Sequence, residues 1–397
     1  MKHRRFVCSV SVWMVAAVAA SGILPASAAT PPPLAVVCAE DAEIDARQLI
    51  AIDREVEEAL AARQMPGCVV LIGRHGKIVF QRAYGSRQVL PERIPMTLDT
   101  VFDLASLTKP VATATSVMLL IERGSVRLED PVSRHVPEFA GHGKEPITVL
   151  QLLTHQGGLV ADNPMSDYRE GPQKAWQRIF AAKPALAPGT RFLYSDVGYL
   201  VLGELVRRVA GKGVDDFSQT NLFGPLGMRE TCFLPPAGLR RRAAPTEKRD
   251  GKWIQGEVHD PRAFALGGVA GHAGLFSTAR DLAVYARMLL RRGQLGGVRV
   301  LKESTVETMT RPYPVSAGLR GLGWDMRTGY STNRGKSFSA RAFGHGGFTG
   351  TALWIDPELD LFVIFLSNRL HPDGKGSVNA LAGRIGTIAA GAVTDRP

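Results

Sequence analysis

Ser106 and Lys109 stand three residues apart in the stretch Phe102-Asp103-Leu104-Ala105-Ser106-Leu107-Thr108-Lys109. A serine hydroxyl becomes a nucleophile when a base takes its proton. A lysine is such a base when burial or nearby positive potential lowers its pKa. An apolar run from Val111 to Ile121 follows and Gly124 stops it, which predicts a buried helix. Positions i and i+3 share a helix face, so hydroxyl and amine can meet. The start of the helix adds free backbone N–H groups and positive potential. The same spacing also serves an N-cap serine with a solvated first-turn lysine, so other segments must decide.

Two further segments carry suitable groups. Tyr194-Ser195-Asp196 precedes a helical pattern from Val197 to Ala210. A tyrosine beside a lysine can relay protons, and an aspartate can hold the lysine or a substrate amide. Helix capping by Ser195 or Asp196 is the competing role. Phe343-Gly344-His345-Gly346-Gly347-Phe348-Thr349-Gly350-Thr351 is dense in glycine and enters a strand. Such a strand lets a substrate approach the backbone, whose N–H groups can complete an oxyanion hole. His345 would be a proton donor or a polar wall, or simply a turn residue.

These segments need elements to position them. Apolar spacing predicts a helix over 44–62, and 67–72 with 77–84 predicts a hairpin turning at Gly73-Arg74-His75-Gly76, with His75 solvated. Short helices are expected at 148–155, 197–210 and 278–292. Strands are expected at 321–326, 352–355 and 361–367, and a last helix at 378–393. Strands from both chain ends with helices between them predict one antiparallel sheet, a separate helical lobe and a cleft between the two.

Ser106-x-x-Lys109, Tyr194-x-Asp196 and His345-Gly346-Gly347, in this order, resemble the three signature motifs of the serine penicillin-recognising enzymes. The branch they resemble holds class C β-lactamases, D-Ala-D-Ala carboxypeptidases and related esterases. The surroundings agree: Leu150 to His155, Pro225 to Met228 and Gly267 to Thr278. The resemblance spans about residues 45–390. It implies an α/β (α+β) fold of the β-lactamase/DD-peptidase type, with an antiparallel sheet from both chain ends flanked by helices. Residues 44–105 and 268–397 would form the sheet domain, and 106–267 an inserted, mainly helical lobe.

The resemblance also implies roles. Ser106 would be the acylated nucleophile, Lys109 would assist its deprotonation, and Tyr194 would share the proton transfers and activate water. The N–H groups of Ser106 and Phe348 would hold the oxyanion, and Asp196, His345, Gly346, Gly347 and Phe348 would contact substrate. Two positions depart from the pattern. Asp196 stands where many β-lactamases have Asn. His345 and Gly346 replace the usual Lys and Thr that help bind a substrate carboxylate, a loss for which Thr349 is the expected compensation. These changes predict weak β-lactam turnover and action on D-amino-acid peptides of the cell wall or on small esters. A silent muropeptide-binding protein is the alternative of a different class. Neither metal nor cofactor is required.

Composition is consistent with this reading. The chain has 397 residues, 45% hydrophobic and 21% charged, enough for a large core. Its net charge of +11 comes from dispersed Lys and Arg without a nucleic-acid motif, which argues against nucleic acid as partner. Lys2, Arg4 and Arg5 precede an apolar run from Phe6 to Leu24 and then Pro25-Ala26-Ser27-Ala28-Ala29. That pattern predicts a signal peptide over 1–28, a leader over 29–43 and a periplasmic or secreted protein; a retained segment would instead tether it to a membrane. Cleavage after Ala28 leaves +8 and removes Cys8. Cys38, Cys68 and Cys232 then allow three single disulfide pairings. His259-Asp260 and His272 are expected in turns and loops. Gly329 to Ser337 is set aside as a phosphate loop of the wrong spacing.

Overall fold

The computed structural model describes residues 31–32 and 34–395. The predicted signal peptide therefore lies outside the described residues. A nine-stranded antiparallel sheet runs, from one edge to the other, through 313–315, 318–320, 325–327, 343–347, 351–356, 361–367, 67–74, 77–88 and 94–95. Both chain ends supply its strands, as the sequence predicted.

The three central strands explain why the sheet has two covered faces. Gly67–Arg74, Thr351–Asp356 and Leu361–Ser367 are buried at every residue. Successive side chains of a strand point to opposite faces. Val69, Leu71, Leu353, Ile355, Phe362, Ile364 and Leu366 accordingly enter one core. Cys68, Val70, Ile72, Ala352, Trp354, Val363 and Phe365 enter the other. The first core is shared with the helical lobe through residues such as Val117, Leu200 and Leu282. The second is closed by the helices Ala51–Ala61 and Asn379–Gly391. Each large apolar side chain buried this way contributes roughly 1.5–3 kcal/mol.

Local chemistry sets the element boundaries. Thr148 and Gln151 form a capping box on the helix Val149–Leu153. Ser195 caps Asp196–Ala210, and Gly211 at φ 69° ends it. Thr278 caps Ala279–Leu290. The first predicted helix is divided at Ile50 into Ala46–Leu49 and Ala51–Ala61. Residues of the expected leader pack against the sheet: Val36 bridges Ile78, and Ala39 and Ala42 are buried in a short helical turn. His75 is half-buried, within 3.1 Å of Asp360 and 3.2 Å of Glu43, and not the solvated turn residue expected. Cys38, Cys68 and Cys232 are free. Among the described residues no helix is long and apolar enough to cross a membrane.

Candidate active site

Ser106 is held by a segment braced on three sides. Asp103, buried, accepts the Ala105 N–H at 2.8 Å and the His259 N–H at 2.7 Å. The Leu104 N–H donates to Leu275 O at 2.9 Å. From the third motif, Thr349 Oγ1 donates to Asp103 O at 2.7 Å and Thr351 Oγ1 to Leu104 O at 3.1 Å. Ala105 takes φ 46°, the left-handed region that a residue with a Cβ rarely adopts. Local strain of this kind clusters at functional sites. After Lys109 the helix opens into a π-helical turn, Lys109–Ala114, before it becomes regular at Thr115–Glu122. The Thr115 hydroxyl donates to Pro110 O at 2.8 Å within that wide turn.

Lys109 is wholly buried beneath Ser106. Its Nζ donates to Ser106 Oγ at 2.9 Å and to His272 O at 3.2 Å. Asp196 Oδ1 lies 2.6 Å from the same nitrogen, a close ion contact although its angle is poor for a hydrogen bond. Burial disfavours the lysine charge, but Asp196 and Tyr194 outweigh it and hold the ammonium above the ordinary lysine range. Burial likewise pushes the Tyr194 phenol up, against the pull of Lys109 and hydrogen bonding with Lys109 and Ser106. In the resting arrangement both groups therefore carry their protons near neutral pH. The Lys109 ammonium lies 4.9 Å from the Tyr194 ring centre. Tyr194 is stacked between His155, at 4.3 Å, and Tyr330, at 4.7 Å.

The strand Phe343–Gly347 forms the opposite wall. His345 pairs with Leu353, and directly opposed residues share a face, so His345 looks toward the helical lobe. Its Nδ1 stands 2.7 Å from Gly346 O and must donate to that carbonyl. Burial and the positive charges of Arg320 and Lys109 depress its pKa well below the usual histidine value. His345 is thus a neutral polar wall whose Nε2 accepts hydrogen bonds. The proton-donor role considered for it does not fit this tautomer. Arg320, wholly buried, finds no hydrogen-bond partner for its side chain and sits 3.7 Å from Asp325. His155 is neutral for the same reasons; its Nδ1 accepts the Ser195 N–H at 3.0 Å.

Ser106, Tyr194, His345, Gly346, Gly347 and Phe348 line one cleft of about 380 Å³. Lys109 and Asp196 support it from below. The close approach of the walls explains the glycines: a Cβ on Gly347 would lie 2.3 Å from Leu104 O, and one on Gly346 would lie 2.3 Å from Asn333 Nδ2. Thr349 cannot replace the missing motif threonine, because its hydroxyl is bonded to Asp103 O.

Several lining residues were not singled out from the sequence. Tyr330 and Asn333 come from the stretch set aside as a failed phosphate loop, while Asp325 and Arg369 come from strands and loops distant in sequence. Asn333 Oδ1 is fixed by Trp354 Nε1 at 3.1 Å. His272 and Asp260, expected in loops, brace the site through their 2.9 Å contact, and Asp260 caps the helix Pro261–Ala265. With Asp196 they bring three candidate ligand atoms within 4.8 Å of one another, but Asp196 is engaged with Lys109 and Asp260 with His272.

Comparison with known proteins agrees with this geometry. The β-lactamase family pattern matches residues 52–386. The chain is 32% identical to the N-acetylmuramyl-L-alanine amidase of Bacillus subtilis (strain 168), over 85% of this chain and 84% of that one. It is 29% identical to a putative D-alanyl-D-alanine carboxypeptidase of Salmonella agona (strain SL483), over 92% of this chain and 93% of that one. A penicillin-binding protein homologue from Caulobacter crescentus superposes with a TM-score of 0.71 at 22% identity, over 87% of this chain and 97% of that one. The match over most of the chain, on a fold with the motifs in one cleft, makes this protein a member of the β-lactamase family of hydrolases.

Proposed function

We propose that the protein is an exported serine amidohydrolase that cleaves alanine-containing cell-wall peptides through an acyl-enzyme on Ser106. The observation that carries this is the 2.9 Å contact of Lys109 Nζ with Ser106 Oγ at the base of the cleft. The resting Lys109–Tyr194 pair is fully protonated, so the reactive form is one proton poorer, with the two groups titrating as a unit. Ser106 Oγ attacks the scissile carbonyl carbon and its proton passes to that pair. The Ser106 and Phe348 N–H groups receive the oxyanion. The C–N bond breaks as the pair returns the proton to the leaving nitrogen. Water then attacks the acyl ester, again losing its proton to Tyr194 and Lys109, and Ser106 leaves with it.

The D-Ala–D-Ala bond is the first substrate to consider, supported by the relative named as a putative carboxypeptidase. A second reading places the cut at a muramoyl–L-Ala amide. Two observations favour it: the amidase name of the 32% identical relative, and a His345 that accepts hydrogen bonds where a carboxylate-binding cation is usual. Intact-mass analysis during digestion of defined muropeptides tests both. A transient adduct on the parent protein, absent from Ser106→Ala, is expected, with turnover reduced at least about a thousandfold in the variant. Release of D-Ala identifies the first bond and release of the free peptide the second. Turnover retained by Ser106→Ala would sink the acyl-enzyme reading.

A further inference from the structure

A second cavity, of about 710 Å³, adjoins the catalytic cleft and shares Arg369 with it as a wall. Arg63, Arg93, Arg369 and Lys375 line it, against the single carboxylate of Asp373. Asp373 lies 3.6 Å from Lys375, so that pair is matched. Among the described residues no carboxylate comes within 4.0 Å of the guanidinium of Arg63, Arg93 or Arg369. Arg369 donates to Gly376 O at 2.8 Å and lies 4.6 Å from the Phe348 ring centre, on the rim of the cleft. A guanidinium carries five donors, which leaves most of its capacity unused.

The walls of this cavity are firmly built. His371 is buried, and its Nε2 accepts the Val89 N–H at 3.0 Å and the Leu90 N–H at 3.2 Å. Its Nδ1 therefore donates to Thr246 O, at 3.1 Å. Both nitrogens are committed in the neutral form, so His371 adds no charge. Gly376, which lines the catalytic cleft beside Arg369, is pressed against the backbone between Arg63 and Met65: a Cβ there would lie 2.3 Å from Gln64 O. Like charges gathered around a concave surface repel one another in the free protein and focus their field on an anion that enters. Guanidinium groups also match the planar, two-oxygen geometry of carboxylate and phosphate.

We propose that this cavity is a subsite for an oxyanion carried by the substrate, on the branch that passes Arg369 beyond the scissile bond. The inference rests on the reading of the Ser106 cleft as the hydrolytic site. Carboxylate and phosphate share the required chemistry. The reacting carbonyl would bind in the neutral cleft, and the charge on the distal branch would bind in the cationic cavity.

Binding to the Ser106→Ala protein tests this apart from turnover. One alanine-containing peptide is prepared with a distal carboxamide, carboxylate or phosphate, and calorimetry gives its Kd. The charged forms should bind about tenfold tighter than the carboxamide, and the tighter of the two identifies the natural oxyanion. R63Q combined with R93Q should erase that preference while leaving carboxamide binding unchanged; both side chains are exposed, so the fold is retained. Equal Kd values for all three forms, no binding of any form, or a preference that survives R63Q/R93Q would each overturn the subsite. Turnover of the same peptides by the parent protein is scored separately: a charge preference in binding without hydrolysis upholds the subsite and removes the hydrolytic reading.

Discussion

On the side of the cleft built from helix starts, charge is concentrated and buried: Lys109 and Asp196 meet at 2.6 Å beneath Ser106. The facing strand Phe343–Gly347 carries none. His345 is neutral, Gly346 has no side chain, and the Thr349 hydroxyl is turned back to Asp103. The charges nearest that strand are Arg369 at the rim, Asp325 in the lining and Arg320, which is buried out of the lining. The contrast teaches that these two walls answer to different demands. The helix side must store a proton in a dry site, whereas the strand side needs only backbone donors and shape.

The largest expected effect comes from breaking the charged side. Asp196→Asn removes the group that holds the Lys109 ammonium, so burial then lowers the lysine pKa. A lysine that must lose a proton to act will do so at lower pH. The ascending limb of the kcat/KM profile should shift down by about one unit or more, a gain of about tenfold at pH values below the parent limb. A limb that stays in place would mean that Lys109 is not the titrating group. Sharpening the strand side is the next test. His345→Lys restores a cation to the neutral wall and should raise the rate of Ser106 acylation by penicillin about tenfold, through a charge-assisted hydrogen bond. It should also lower Tm, since Arg320 and Lys109 already place positive charge there. A folded variant with unchanged acylation would show that the missing cation does not limit β-lactam recognition.

The smallest effect lies away from both walls, on the helix Ala279–Leu290. Burial pushes the Asp281 carboxyl up to about 6, despite hydrogen bonds from Thr231 Oγ1 and the Glu230 N–H. A carboxyl raised above its unfolded value binds more protons in the folded state, so its contribution to stability falls as pH rises from about 4 to 6. Asp281→Asn should remove that slope and lower Tm at pH 4 relative to Tm at pH 7 by about 3 °C. An unaltered slope would assign it to other groups and leave the catalytic comparison untouched.

Ser106, Lys109, Tyr194, Asp196 and His345 were legible because each sits in a short local pattern at the start of a helix or strand. Ser195 shows that the competing reading was also right: it caps its helix, and the cap is what presents Tyr194 and Asp196. Arg369, Asn333 and Tyr330 were not legible, because no local pattern marks them and only the packing of distant elements brings them to Ser106. The use of Thr349 was misread for a related reason. It was expected to compensate for the missing motif threonine, but the return of the strand against Asp103 captures the hydroxyl. The two-sided burial of the central strands could be read from their continuous apolar runs; which residues faced which core depended on register.

The π-helical turn from Lys109 to Ala114 bears on how this chain can change in length. Adjacent residues in an α-helix differ by about 100° around the axis. Deleting one residue between Pro110 and Ala114 would let the turn close to regular geometry, because a π-turn spends one extra residue on about the same rotation, and would keep Lys109 and the following core face in phase. A single inserted residue meets a turn that is already wide and would rotate Lys109 away from Ser106 or swing the core face off Leu200 and Leu282. Substitution at these positions is a question of packing volume, but any insertion or deletion is a question of rotational phase. This helix can therefore diverge in composition and can shed one residue within its wide turn, but it cannot gain one without parting the nucleophile from the core.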